Sequence, residues 1–310
     1  PQTSTDYRTL LVDFMVFLDI KENIGYISVD ANIGVIKSDK KCILIDAGGS
    51  KKDGQEIVRL LDEENLSPSS VIITHGHWDH FYGICEIKKI FPELKVYSSS
   101  IEKSFIENPY LEFYSYFSST SPLKMPDVPI GFKGITVDGT IDDGIIEIDG
   151  ESIEIIPFSG HSPLGIGILY KGVLFSGDCL YSVHSLNMFK MPFYTDIENQ
   201  FKDLDRLSNY EIDYCLPSHG LPIRGTKDFK NALIENRKKL VSLERLILEL
   251  IKEKKSEEQL KKEIAEKLSI KFDFTKYIYV TITTKAFLHY LYNAGKADFE
   301  IEDGILFWKN

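Results

Sequence analysis

Short apolar runs alternate with polar loops through the first two thirds of the chain, and long helical repeats take over in the last third. Tyr26-Ile27-Ser28-Val29, Ile33-Gly34-Val35-Ile36 and Lys41-Cys42-Ile43-Leu44-Ile45 have the length and β-branched content of strands, the last ending at Asp46-Ala47-Gly48-Gly49. Gly54 to Leu61 has helical spacing, Ser67-Pro68-Ser69-Ser70 reads as a turn, and Val71-Ile72-Ile73 reads as the next strand. A helix over His80 to Phe91 and a strand over Leu94 to Tyr97 complete an α/β unit. From Ile145 to Gly177 the strands crowd together: Ile145 to Ile148, Ile153 to Ile156, Ile166 to Tyr170 and Val173 to Phe175. Strand-rich halves with intervening helices predict two sheets packed face to face with helices outside.

Two segments depart from that rhythm. Between Ser98 and Gly144 lies an insertion rich in aromatics and prolines, with Tyr110, Phe113, Tyr114, Tyr116, Phe117, Pro122, Met125, Pro126 and Pro129. It is expected to begin as a helix and end as a long loop, acting as a lid or substrate wall or simply packing onto the body. Beyond about Gly225, Phe229 to Lys254 is a long amphipathic pattern carrying Leu233, Leu240, Leu243, Leu246, Ile247 and Leu250. Ser256-Glu257-Glu258-Gln259 fits a capping box opening a second helix to Leu268, and a third runs from Tyr277 to Asn293. Phe299 to Trp308 then reads as a two-stranded ribbon turning at Asp303-Gly304. Three helices and a ribbon resemble a winged-helix module.

With 310 residues, 43% of them hydrophobic, the chain can bury a large core. The expected organisation is a body over residues 1–225, containing the insertion 98–144, and a small winged-helix-like domain over 226–310. Cys42, Cys85, Cys179 and Cys215 form no CxxC pair, Pro1 to Asp6 lack a basic stretch leading to an apolar core, and no apolar run reaches spanning length. The expectation is a cytoplasmic protein with no membrane partner. The net charge of -11 argues against coating nucleic acid by bulk attraction. Residues 226–310 nevertheless carry 17 Lys and Arg against 14 Asp and Glu, so the acidity belongs to the body.

The chemistry is concentrated in Thr74-His75-Gly76-His77-Trp78-Asp79-His80, which places three imidazoles and a carboxylate in six consecutive positions after an apolar strand. Imidazole and carboxylate suit zinc, iron or manganese, and a loop leaving a strand can turn alternate side chains toward two neighbouring ions. Ser159-Gly160-His161, Ser176-Gly177-Asp178 and Ser218-His219-Gly220 repeat the theme, each a ligand-type side chain beside a glycine at a strand end. Singly each would be an ordinary loop residue; together they point to one metal centre.

These motifs, with Asp46 in Ile45-Asp46-Ala47-Gly48, resemble the metallo-β-lactamase superfamily over residues 20 to 225. The resemblance implies an α/β fold, an αββα sandwich with the site at one edge between the sheets. It implies that His75, His77 and His161 hold one metal, that Asp79, His80 and His219 hold a second, and that Asp178 bridges them. Asp46 would orient the ligand loop through hydrogen bonds. The antibiotic-degrading branch has a cysteine where Asp178 stands; here Cys179 is one position later and should point away. The flavodiiron branch has a glutamate where His77 stands. The ligand set is similar to that of glyoxalase II and of ribonucleases, and a sandwich followed by a winged helix resembles the lactamase-β-like protein 2 branch.

The implied enzyme is a hydrolase with two divalent ions, zinc first and iron or manganese as alternatives. A hydroxide held between the ions would attack the carbonyl of a small ester, thioester or lactone, with Asp79 orienting it. His184 is a candidate acid or substrate contact, the plain alternative being an exposed loop histidine; His289 reads as packing or surface. Cleavage of single-stranded RNA, held by the winged helix, is the alternative activity. The tail could equally brace the body or a homodimer interface. A non-enzymatic regulator is disfavoured by so complete a ligand set.

Overall fold

A computed structural model of the chain describes residues 15–29, 31–119 and 133–310. Pro122, Met125, Pro126 and Pro129 of the insertion, and the opening stretch Pro1 to Asp6, lie outside the described residues. The first sheet runs β1 (Val16–Lys21), β2 (Ile24–Ser28), β3 (Ile33–Ser38), β4 (Lys41–Ile45), β5 (Ser67–Ile72), β6 (Lys95–Ser98) and β7 (Gly139–Thr140), in that spatial order. The first four strands form an antiparallel meander and the last four are parallel. Antiparallel neighbours need only tight turns, whereas β4 reaches its parallel neighbour β5 through the helix α1 (Lys51–Glu63).

Strand β4 explains why the apolar runs are continuous. Cys42 and Leu44 join the core under the helices, while Ile43 and Ile45 join a second core. A strand buried on both faces has no polar face to alternate with. The second sheet contains β8 (Gly144–Ile148), β9 (Glu151–Phe158), β10 (Gly165–Tyr170), β11 (Val173–Gly177) and β12 (Tyr214–Pro217), adjacent in that order. Between the sheets, Ile24, Tyr26, Ile36 and Ile72 pack with Ile153, Ile155, Ile168, Phe175 and Leu216.

Two local readings need correction. Ser67 to Ser70 is the first part of β5, not a turn. The register slips between Cys42 and Ile43, which leaves Ser69 as a bulge, and the Ser69 and Ser70 hydroxyls both donate to Asp149 Oδ2 at 2.7 Å. The helix expected over His80 to Phe91 is two, α2 (Trp78–Phe81) and α3 (Ile84–Ile90). The break at Gly83 lets that backbone approach the Asp46 turn, where its N–H donates to Gly48 O at 3.0 Å and an added Cβ would lie 2.0 Å from Ala47 O. The insertion opens with two helices, α4 (Glu102–Glu107) and α5 (Tyr110–Phe117).

By compactness the chain divides into two units, residues 1–157, 164–177 and 214–222 forming the first and 158–163, 178–213 and 223–310 the second. The second holds α6 (Val183–Met188), α7 (Ile197–Leu207), β13 (Ile223–Arg224), α8 (Thr226–Leu250), β14 (Lys255–Ser256), α9 (Glu257–Leu268), α10 (Phe274–Asn293), β15 (Asp298–Glu302) and β16 (Ile305–Lys309). The expected capping box at Ser256 and Gln259 is formed, and α10 starts three residues earlier than its pattern because Asp273 caps Lys276 N. The hairpin turns at Asp303 and Gly304, both at positive φ, as an Asp-Gly type I′ turn requires. Its sheet has the order β14-β16-β15.

Candidate metal centre

In the first unit Asp46 organises the site from beneath. It follows β4 with φ 64°, in the left-handed region that aspartate and asparagine enter far more readily than most side-chain-bearing residues. That turn swings its buried carboxylate under the histidine loop. It accepts from Thr74 N at 2.8 Å, Thr74 Oγ1 at 2.9 Å and His80 Nδ1 at 2.9 Å, with Ser218 Oγ at 3.4 Å. Because a carboxylate facing Nδ1 fixes the proton there, His80 presents Nε2 as a lone pair. Nε2 lies 3.6 Å from Asp79 Oδ2, and His219 Nε2 lies 3.3 Å from the same oxygen. Donor atoms of Asp79, His80 and His219 all lie within 4.8 Å of one another. His75 Nδ1 sits 3.1 Å from Thr74 Oγ1, and its Nε2 is 2.9 Å from His77 Nδ1.

Three further residues hold this cluster in place, and none was singled out in the sequence. Asn32 donates to Pro217 O and Gly220 O and so brackets His219. Glu102, buried on α4, accepts from Gly76 N at 2.8 Å and Leu164 N at 2.9 Å. Glu112, buried on α5, accepts from Trp78 N at 3.2 Å and Tyr116 OH at 3.1 Å, and the Tyr116 ring lies 6.3 Å from that of His77. The insertion therefore clamps the histidine loop, while Tyr110 and Tyr114 on the same helix face solvent. Isolated acids in an aromatic segment have no spacing signature.

The electrostatics follow from burial and crowding. Burial would raise the Asp79 carboxyl, but His80, His219 and His77 hold it well below the usual carboxylate range. Glu112 goes the other way, pushed up to about 8 by burial and by the Asp79 charge. An unfolded glutamate releases its proton near 4.5, so between that pH and about 8 the folded chain binds the extra proton and loses stability as pH rises. Chelator-treated protein is therefore expected to unfold at lower urea at pH 8 than at pH 5. Glu112→Gln should flatten that difference; an unchanged pH slope would remove Glu112 as its source.

The second unit carries His161 and Asp178. Burial in the loop after β9 is made by Gly160, where an added Cβ would stand 2.6 Å from Gln200 Cα. Asp203 on α7 accepts from Ser159 N at 2.8 Å and Gly160 N at 2.9 Å, and burial pushes its carboxyl up to about 6 against those two donors. His161 Nδ1 donates to the Phe193 carbonyl at 3.1 Å, leaving Nε2 3.5 Å from Asp178 Oδ2. A carbonyl ligand of this kind cannot be read from sequence, since every residue has one. Cys179 is buried, with its carbonyl accepting from Gln200. His184 is exposed on α6, and His289 is exposed on α10 with its ring 6.2 Å from that of Trp308.

These separations test whether a cation fits. Two ligands on a tetrahedral ion with bonds of about 2.0–2.1 Å stand roughly 3.3 Å apart. The imidazole–carboxylate gaps of 3.3, 3.5 and 3.6 Å are close to that and long for hydrogen bonds. Each of His80 and His161 has its outer nitrogen committed to an oxygen. The donor set fits a divalent ion.

A two-sheet α/β body with imidazole and carboxylate gathered after its strands defines a metal-dependent hydrolase class. Residues 28–219 match the family model described as the Metallo-beta-lactamase superfamily, and the chain belongs to that superfamily. It is 28% identical over 155 residues to Hydroxyacylglutathione hydrolase 1 of Vibrio vulnificus (strain YJ016), covering 50% of this chain and 49% of that protein. It is also 28% identical over 162 residues to the Probable metallo-hydrolase YqgX of Bacillus subtilis (strain 168), covering 49% and 67%. The chain thus spans about half the length of the first hydroxyacylglutathione hydrolases it matches. Among solved structures, a Beta-lactamase domain protein from Burkholderia ambifaria superposes with a TM-score of 0.71 at 18% identity, over 96% of this chain and 95% of that one. The metallo-β-lactamase fold, with sheets flanked by helices, is therefore established, and the homologues imply divalent metal binding. Among the described residues, no helix is long and apolar enough to cross a membrane.

Proposed function

We propose that the chain is a dinuclear hydrolase of a small ester, thioester or lactone, thioesters first. His75, His77 and His161 would hold one ion, Asp79, His80 and His219 the other, with Asp178 shared. The observation that carries this reading is the set of imidazole–carboxylate pairs spaced for a shared cation, with outer nitrogens already committed. Bound divalent ions, zinc by the nitrogen-rich donor set, supply Lewis acidity and bring a water's pKa into the neutral range. Asp79, a third exposed and held ionised by its histidines, orients the attacking water. His184 is the side chain offered for substrate contact or for protonating the leaving group. A thioester is favoured because relatives at 28% and 27% identity are named hydroxyacylglutathione hydrolases. A net charge of -11 disfavours a polyanionic substrate. Residues 1–225 serve as the catalytic domain, and residues 226–310, read as winged-helix-like, as its brace.

The test is a panel of an acyl-glutathione thioester, an aryl ester, an acyl lactone and a labelled single-stranded RNA, each with zinc- or manganese-loaded protein. Turnover of a thioester, ester or lactone with kcat/KM above about 10⁴ M⁻¹s⁻¹, lowered about 10²–10³-fold in His77→Ala, is the expected result. Cleavage of the RNA alone would overturn the substrate class and give the tail a nucleic-acid role.

A further inference from the structure

We infer that Thr283, deep in the C-terminal region on α10, is a positioning residue for His161, which makes that region a working part of the metal centre and not a separable module. The inference rests on reading His161 as a metal ligand.

The path is short and buried. The Thr283 hydroxyl accepts from Tyr194 N at 3.0 Å and donates to Pro192 O at 3.1 Å. Thr283 and Tyr194 have no exposed surface. One hydroxyl thus ties the two residues flanking Phe193, whose carbonyl fixes the His161 ring through Nδ1. One turn earlier on α10, the Tyr279 ring packs on Phe193 at 5.2 Å, and Phe193 packs on His161 at 5.2 Å. The same segment holds the His161 backbone: Thr195 Oγ1 donates to His161 O at 3.1 Å, and Thr195 N and Asp196 N donate to Gly160 O at 2.9 and 3.0 Å. Residues 193–196 thus hold both the ring and the backbone around His161, and α10 holds Pro192 and Tyr194 on either side of Phe193. The other long C-terminal helix repeats the arrangement near the other ligand. Asn236 on α8, also fully buried, accepts from Tyr181 N at 3.2 Å and donates to Tyr181 O at 2.7 Å, three residues beyond Asp178. Asn236 occupies a position in the apolar stripe of α8, between Leu233 and Leu240, where packing alone would favour a hydrophobe.

Valine has the shape of threonine but neither donates nor accepts, so Thr283→Val frees the Pro192–Tyr194 segment to shift. Loss of a partner that orients a metal ligand typically weakens metal binding 10- to 100-fold, and one step further out about tenfold is expected. Thr284, the next residue, is an internal control: its buried hydroxyl has no hydrogen-bond partner among the described residues. The experiment measures zinc affinity of the full chain by chelator competition, with the absorption bands of the cobalt-substituted protein as a geometric readout. Variants are Thr283→Val, Thr283→Ser, Thr283→Ala and Thr284→Val, each checked by circular dichroism. Weaker zinc at one of two sites and altered cobalt bands in the Val and Ala variants, recovery in Ser, and no change in Thr284→Val are expected. Wild-type zinc affinity and cobalt bands in a folded Thr283→Val or Thr283→Ala overturn the inference, as does an equal loss in Thr284→Val. Wild-type protein that holds no zinc overturns the ligand assignment itself, a distinguishable result.

Discussion

Alanine in place of His77 is expected to remove about one of two bound ions, and alanine in place of Asp178 most bound metal, each lowering turnover by about 10²–10³-fold while leaving a folded chain, as in the loss of a single electrostatic stabiliser. His77 is half-buried at the mouth of the loop, beside His75 Nε2 and the Tyr116 ring, so truncating it removes a donor but little core. Asp178 is buried and faces His161, so its loss deletes the anion paired with that imidazole. The cores that hold the fold are isoleucine-rich clusters between the sheets and under the helices, and neither includes a proposed ligand. Metal analysis, a substrate assay and circular dichroism on each purified variant check this together. A folded variant with full metal and full turnover would remove that residue from the centre.

Asp46→Ala should be costlier to the fold and slower to show in chemistry. Removing the carboxylate strands Thr74 N, the Thr74 hydroxyl and His80 Nδ1 in a buried site, where each unmet polar group costs about 1–3 kcal/mol. Alanine must also adopt φ 64°. Together these predict a stability loss of about 3 kcal/mol or more by urea unfolding and zinc binding weakened about 10- to 100-fold. Asp46→Asn tolerates the backbone angle but presents an amide group to one of the donors, so it should recover part of the stability and little of the metal affinity. Equal stability of Asp46→Ala and wild type would contradict the organising role given to Asp46.

The five motifs were legible because each couples a strand end to a glycine and a ligand-type side chain, a pattern that chance composition rarely repeats in one chain. The two-sheet body was legible for a related reason: runs such as Ile43-Leu44-Ile45 are apolar at every position because they are buried on both faces. Errors fell where local chemistry imitates another state. Ser67-Pro68-Ser69-Ser70 has turn composition, but a carboxylate from across the body, Asp149, satisfies the serine hydroxyls and lets the segment join the sheet. The helix break at Gly83 answers a contact with Gly48, 35 positions away, that no local window contains. What holds the proposed ligands in place was least visible. The Phe193 carbonyl, Glu102, Asn32, Asp203 and Thr283 act through distance in sequence, and each looks ordinary in its own neighbourhood.

The most direct measurement is the number of divalent ions per chain after reconstitution with zinc and dialysis against metal-free buffer, made on wild type and His219→Ala. About two ions in wild type and about one in the variant are expected, because among the described residues His219 falls in the donor cluster of Asp79 and His80. A folded wild-type chain retaining fewer than one ion, or a variant retaining two, would contradict a dinuclear centre built from these residues.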